Sequence, residues 1–321
     1  MFSVIIPLYN KAPYVAKAIR SVLSQTCQDF ELIVVDDGSK DGSAAIAEEL
    51  LRQCDACRCR LIRQSNAGVS TARNNGVTAS KGEYLCFLDA DDWWETTFLE
   101  EMQRLITAFP GAGIYGASYY IVKNGRNRVA PIGVPRGFER GCIDYCKVYA
   151  ETLCMPLTSI SICMPKSVFD EENGFKPTLK LGEDFDLWIR VALKHKVVFL
   201  NKPLAYYNQD VEVENRAIGR KFYKPEQHML FTNYGEWMEK DDFRYLFERL
   251  ALYSLLPYYL DNINKEEVGQ ILSKIDWSRH ESKYHWYYKK LPRWVVKLWF
   301  EGLVKAGVIK NRLSKLLYRS V

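Results

Sequence analysis

The stretch Tyr84-Leu85-Cys86-Phe87-Leu88-Asp89-Ala90-Asp91-Asp92 joins a short, apolar, aromatic-rich run to three carboxylates. The first five residues have the composition of a buried strand, so Asp89, Asp91 and Asp92 arrive together at its C-terminal edge. Carboxylates crowded this closely repel one another unless a cation lies among them. A hard divalent ion, held by one or two carboxylates and completed by water and substrate phosphate, satisfies such a cluster. Asp is also common wherever a strand gives way to a solvated turn. The second acidic pair, Asp36-Asp37, favours a site, because ligands of open α/β sheets bind in the crevice beyond the strand C-termini.

Working outward, Ser3-Val4-Ile5-Ile6-Pro7 and Phe30-Glu31-Leu32-Ile33-Val34-Val35 have the content of strands buried on both faces. Between them Pro13 can open a helix with Val15, Ala18, Ile19, Val22 and Leu23 at helical spacing. The turn-rich Gly38-Ser39-Lys40-Asp41-Gly42 leads to a second helix carrying Ile46, Ala47, Leu50 and Leu51 on one face. A strand near Arg60-Leu61-Ile62 and a helix from about Ser70 to Ser80 complete a βαβαβ pattern, which predicts a parallel or mostly parallel sheet flanked by helices.

Five strings in this order carry a resemblance. Ser3 to Asn10, Val34 to Ser39, Asn66-Ala67-Gly68-Val69-Ser70-Thr71-Ala72-Arg73-Asn74, Asp89 to Asp92 and Leu181-Gly182-Glu183-Asp184 resemble the motif series of the bacterial family 2 glycosyltransferases, over about two-thirds of the chain. The resemblance implies an α/β fold of the GT-A, Rossmann-like type and a nucleotide-sugar donor, with UDP as the expected carrier. It implies that Pro7, Tyr9, Asn10, Lys11, Asp36, Asp37, Arg73, Asp89 and Ala90 line the donor. Tyr9 matches the ring against the nucleobase, where stacking tolerates any base, or it is a core aromatic. Asp37 matches the acceptor from a uracil-type imino group, with Asp36 in support. Lys11 and Arg73 fall near the diphosphate, or are solvated charges. Asp89 matches a ribose or metal contact, Asp91 a direct ligand of Mn²⁺ or Mg²⁺, and Asp92 an additional ligand.

Transfer to an alcohol also needs a base. The candidates lie in Gly182-Glu183-Asp184-Phe185-Asp186, where Glu183 and Asp184 occupy the first turn of a predicted helix. Such residues cap helices routinely. Motif position in the family implies Asp184 as base, Glu183 orienting it or the acceptor, and Asp186 as a lesser acidic contact. If the base faces the leaving group across the sugar, one displacement inverts the anomeric configuration.

Other features carry less. Cys54, Cys57 and Cys59 lack a nearby fourth ligand for a tetrahedral zinc site. Nine Cys in 321 residues, with no secretory signal at Met1-Phe2-Ser3, fit a reducing cytoplasm. His195 follows the acidic helix and could approach the metal, but between Lys194 and Lys196 it reads as an exposed helix-end residue. Residues Lys123 to Arg140 read as a loop or hairpin beside the donor, and Thr158 to Met164 as a strand toward the acceptor. The segment Val211 to Arg216 is expected over the active site, with Arg216 and Lys221 meeting phosphate or forming surface salt bridges. The expected division is a catalytic domain over 1–220 and a mainly helical region over 221–321.

A hydrophobic content of 48% suits a sizeable core, and no apolar run reaches the ~18 residues of a membrane span. The net charge of +5 hides an asymmetry. From Lys283 onward ten Lys or Arg stand against the single acid Glu301, leaving the preceding residues net acidic. Tyr284, Trp286, Tyr287, Tyr288, Trp294, Trp299 and Phe300 interleave with them. Basic residues with Trp and Leu on one helix predict either a segment on the inner face of the cytoplasmic membrane or a subdomain packed on protein. No nucleic-acid fold precedes the tail, so nucleic acid is not an expected partner. The leading expectation is an inverting, metal-dependent transferase whose acceptor is a bacterial surface glycan, lipid-linked or free, in capsule or lipopolysaccharide assembly. A sugar-phosphate nucleotidyltransferase would carry a Gly-rich N-terminal loop, and Ser3 to Pro13 has no glycine. A nucleotide-sugar-binding scaffold would have no need of Asp184.

Overall fold

The computed structural model describes residues 1–54, 58–211, 222–232 and 234–305. The chain divides into two compact units, Met1–Pro177 with Glu183–Arg216 and Thr178–Gly182 with Ala217–Val321. Five residues on the N-terminal side of the candidate base helix thus group with the second unit.

The first unit is built on one mixed sheet. Its elements in chain order are β1 (Phe2–Leu8), α1 (Val15–Leu23), β2 (Phe30–Asp36), α2 (Ser43–Arg52), β3 (Cys59–Arg63), α3 (Val69–Ala79), β4 (Tyr84–Phe87), β5 (Trp93–Trp94), α4 (Phe98–Ala108), β6 (Ile114–Lys123), β7 (Arg126–Val129), β8 (Arg140–Ile143), α5 (Tyr145–Thr152), β9 (Ile162–Pro165), α6 (Lys166–Glu171), α7 (Glu183–Ala192) and β10 (Val197–Asn208). The strand order is β3-β2-β1-β4-β9-β6-β10-β5, with β7 on β6 and β8 on β10. Pairing is parallel through β3-β2-β1-β4. Beyond β4 it turns antiparallel at β9, and β6 and β10 run parallel to each other.

Burial explains the parallel half. Every residue of β2 is buried, as is nearly all of β1, which is possible only where helices cover both faces. On one face α1 and α4 pack Val15, Ala18, Ile19, Val22, Phe98 and Met102 against Val4, Ile6, Leu32 and Val34. On the other, Ala72 of α3 meets Ile33 and Val35. Gly76 lets α3 come close to the sheet, since a Cβ there would lie 2.5 Å from Ile5 Cγ2. Arg73, one turn earlier on the same buried face, is thereby carried to the C-terminal edge of the strands.

Register brings the sequence motifs to that edge. Leu8 pairs with Asp36, and Ile5 with Phe87, so Asp89 lies at the level of Pro7. The stretch Thr158 to Met164, expected as a strand, begins instead as a 3₁₀ turn at Ser159–Ser161 and becomes β9 only at Ile162. The reason is local: Thr158 and Ser161 bond each other's side chain and backbone, an alternative to the ladder. Residues 123–126 form a hairpin turn with Asn124 and Gly125 at positive φ, and Asp210 accepts hydrogen bonds from both of their amides.

The second unit is helical, with α8 (Asp241–Ser254), α9 (Leu256–Asp261), α10 (Lys265–Ser273), α11 (Ser282–His285) and α12 (Arg293–Lys305). Its core gathers Phe243, Leu246, Leu250, Leu255 and Tyr258. Among the described residues no helix is long and apolar enough to cross a membrane. Cys57, Arg216, Lys221 and the chain beyond 305 lie outside the described residues. The described cysteines Cys54 and Cys59 are free thiols.

Candidate active site

The edge of β1, β2 and β4 presents a ring of polar groups tied loop to loop. Asn10, in the left-handed region at φ 49°, donates its amide to Ser39 Oγ and accepts from the Lys40 amide through Oδ1. Asp36 accepts from the Ser39 amide at 3.0 Å, which shapes the Asp36-to-Gly42 loop rather than touching Asp37. Asp37 accepts from Gln64 Nε2 and from the amides of Ala67 and Gly68, at 2.7 to 2.9 Å. Three of the roughly four acceptor directions of this buried carboxylate are thus used internally. Tyr9 is 45% exposed beside this ring, so the core reading of Tyr9 is set aside. Pro7 and Ala90 contribute backbone at the same edge, Ala90 with its side chain buried.

The acidic loop after β4 splits into different tasks. Asp91 receives Lys11 Nζ at 2.5 Å, and its carboxyl is raised above the usual range by burial and by the neighbouring Asp89, against the pull of Lys11. Asp92 departs from the expectation of a metal ligand. It is buried and accepts from the Asn208 amide of β10 at 2.7 Å, tying the loop to the far half of the sheet. Burial and the charges of Asp91 and Asp89 push its carboxyl well up.

Lys11 and Arg73, expected at the diphosphate, are both committed to carboxylates here. Arg73 is 2% exposed and holds two acids at once, Asp89 Oδ1 at 2.8 Å and Glu183 Oε1 at 3.1 Å. Its guanidinium also lies 5.1 Å from the Phe175 ring centre. Asn74, the next residue of α3, bonds both the amide and the carbonyl of Phe175. One helix therefore positions the acidic loop and the start of α7 together.

At that start, Asp184 accepts from the Phe185 amide at 2.8 Å. Burial, then the Glu183 charge, outweigh the Arg73 charge and push the Asp184 carboxyl up to about 7. Tyr145 of α5, buried with a hydroxyl that has no hydrogen-bond partner among the described residues, feels the Asp184 charge, and the Tyr149 ring packs edge-on to Phe185. Nothing in the sequence marked Tyr145, because only the fold brings α5 and α7 together. Asp186, expected as a further acidic contact, is instead fully buried in an ion-pair group with Arg190 at 2.9 Å and Lys176 at 2.7 Å. Arg190 in turn bonds the Gly174 carbonyl, fixing the chain that enters α7.

All-oxygen donors of this kind suit Mg²⁺ or Mn²⁺. Asp89 and Asp91 fit such an ion: both retain some exposure, and the Asp89 charge raises the cost of ionising Asp91. Elsewhere, Glu171, Glu172 and His195 approach within 4.8 Å of one another. Glu172 is already paired with Lys194 and Arg190, which gives that group a structural explanation.

Polar groups gathered beyond the strand C-termini, with the raised carboxyl of Asp184 beside them, have the layout of a ligand site in an open α/β sheet. Residues 3–163 match the profile of glycosyl transferase family 2, and the chain belongs to that family. Among curated relatives it is 39% identical over 122 residues to the uncharacterized glycosyltransferase EpsJ of Bacillus subtilis, covering 37% of this chain and 35% of EpsJ. It is 32% identical over 212 residues to glycosyltransferase GlyA of Streptococcus pneumoniae, covering 64% of this chain and 30% of GlyA. The chain thus spans well under two-thirds of the length of these relatives. Among solved structures, S. aureus TarS 1–349 in complex with UDP-GlcNAc superposes with a TM-score of 0.65 at 20% identity, over 97% of this chain and 88% of that one. The fold is GT-A.

Proposed function

We propose that the chain is an inverting glycosyltransferase moving a hexose from a nucleotide diphosphate sugar, a UDP-sugar first of all, to a hydroxyl of a bacterial surface glycan. The observation that carries this reading is the Arg73 bridge. One buried guanidinium holds Asp89 of the donor edge and Glu183 beside Asp184, so a carboxyl with a pKa of about 7 stands next to the groups suited to a diphosphate. TarS, solved with UDP-GlcNAc and with UDP, supports the uridine carrier.

In this reaction Asp184 takes the proton of the acceptor hydroxyl as its oxygen bonds to the anomeric carbon. The bond from that carbon to the diphosphate breaks, and its electron pair leaves with the nucleotide. A carboxyl near pH 7 suits a general base, since it is ionised often enough to act and basic enough to pull the proton. The transition state has oxocarbenium character, as in glycoside hydrolysis. Glu183, fixed by Arg73, orients the base. Tyr9 stacks on the base of the nucleotide, and Asp37 accepts from it through its remaining lone pair. Asp89 and Asp91 would hold a divalent cation, whose chemistry when bound is to neutralise the departing diphosphate. The acceptor is a capsule, O-antigen or exopolysaccharide chain, carried on lipid at the inner face of the cytoplasmic membrane.

The test is thermal unfolding against a panel of nucleoside diphosphates and nucleotide-sugars, with Mn²⁺, Mg²⁺ or chelator. Ligand at about 100-fold over its Kd stabilises by roughly 2.7 kcal/mol, a shift of a few degrees. UDP and one UDP-sugar are expected to give this shift only with metal. Stabilisation by nucleoside triphosphates and sugar phosphates instead would point to a nucleotidyltransferase.

A further inference from the structure

The second unit carries an unusual surface. Four of the eight exposed large hydrophobic side chains among the described residues fall within fourteen positions: Trp286 at 53%, Trp294 at 66%, Leu298 at 58% and Trp299 at 49% exposed. This is not an inward face left uncovered. Helix α12 already buries Val296 and Phe300, with Phe300 packed edge-on to Tyr287 at 5.2 Å. Arg293 lies over the Tyr259 ring at 4.3 Å, and Lys297 reaches Asp261 at 2.7 Å, so the helix is fixed on α9. Trp294 and Leu298, one turn apart, form a second apolar strip pointing away from that packing.

We propose that this strip is a docking surface for an anionic lipid bilayer, with α12 lying in the interface. It extends the reading above to the surface on which a lipid-linked acceptor would be carried. Three observations choose the occupant. Charge is the first: Lys289 and Lys290 are exposed in the same stretch of chain, and from Lys283 onward the sequence has ten basic residues against one acid. Such a segment is drawn to anionic headgroups, while long Lys stems lie along the apolar zone with their ammonium groups in water. Symmetry is the second. Pairing this face with a second copy across a two-fold axis would set one basic strip against the same strip. Side-chain type is the third: Trp prefers the headgroup level, and Leu298 gains nothing from a nucleic-acid phosphate chain but loses water in a bilayer. Among the described residues no helix is long and apolar enough to cross a membrane, and the exposed side chains of α12 interleave with charged ones, so the proposed placement of α12 is in the interface.

Flotation of the full chain with vesicles tests this without any transfer reaction, so it can fail while the activity stands, and the reverse. Vesicles of phosphatidylcholine alone are compared with vesicles containing about 30% phosphatidylglycerol, at low and high salt. The chain should float with the anionic vesicles, and high salt should weaken the binding. Trp294→Ser with Leu298→Ser should lower partitioning at least about tenfold, with unchanged circular dichroism and unchanged stabilisation by UDP. Absence from anionic vesicles, or equal binding by the double variant, overturns the proposal. So does a concentration-dependent dimer that the double variant abolishes, since that would make the strip a contact between copies.

Discussion

Asp184→Asn is expected to reduce turnover by roughly 10²–10⁴-fold, the range of a lost general base, while affinity for the nucleotide-sugar is unchanged. The substitution keeps the size of the side chain and its acceptor for the Phe185 amide but cannot take a proton. It also removes a buried charge next to Glu183, so the variant should be no less stable than the parent. The pH dependence follows from the same carboxyl. Its pKa of about 7 lies above the ordinary value, so below that pH the base is protonated and idle. Turnover of the parent should therefore fall as pH drops through about 7 and level off above it. The residual rate of Asp184→Asn should lack that inflection. A parent-like rate in the variant would move the proton transfer to Glu183.

Asp91→Asn addresses the other half of the site. Alanine would remove the carboxylate that Lys11 Nζ meets at 2.5 Å, whereas asparagine still offers Lys11 an oxygen there. Loss of a partner one shell away from a metal costs 10- to 100-fold in affinity, so loss of a direct ligand should exceed about 10-fold. Calorimetric titration of UDP should then show that the variant loses the Mn²⁺-dependent part of its affinity. Transfer should become undetectable. Metal-dependent UDP binding equal to the parent's would remove Asp91 from the ligands.

These two positions were legible in the sequence for a simple reason. A carboxylate that directly follows a buried strand is placed by that strand, and β1, β2 and β4 announce themselves through unbroken apolar runs. Glu183 and Asp184 were legible as the acidic start of a helix with an apolar face. What stayed hidden depends on partners far away in the chain. Asp92 looks like its neighbours until the Asn208 amide, 116 residues later, is seen to claim it. Asp186 looks like a third acid of the base motif, but its place on α7 turns it inward to Arg190 and Lys176. Arg73 reads as a phosphate contact, and only the close approach of α3 at Gly76 shows it spanning two acids. The shift from parallel to mixed pairing after β4 was equally hidden, because β9 is four residues long and follows a Ser/Thr turn rather than a helix.

The same contrast shows where the site can be adjusted. Tyr9 and the exposed edge of Asp89 face solvent, whereas Arg73, Asp92 and Tyr145 are locked in place by burial. Changes to the second group should disturb geometry before they disturb chemistry: loss of Arg73 would strip Asp89 and Glu183 of the cation they share, and cutting back Asp92 or Tyr145 would open buried space. Arg73 cannot be replaced by lysine on equal terms, since a single ammonium does not reproduce a planar fork held by two separate carboxylates.

The central claim is transfer from a nucleotide-sugar by a single displacement with Asp184 as base. Its most direct test is proton NMR of the sugar released from the α-linked donor that the binding panel selects, with Mn²⁺ and with water or a simple alcohol as acceptor, read before mutarotation. The account predicts a β-configured first product from the parent and almost none from Asp184→Asn; an α-configured product, or equal release by the two proteins, would contradict it.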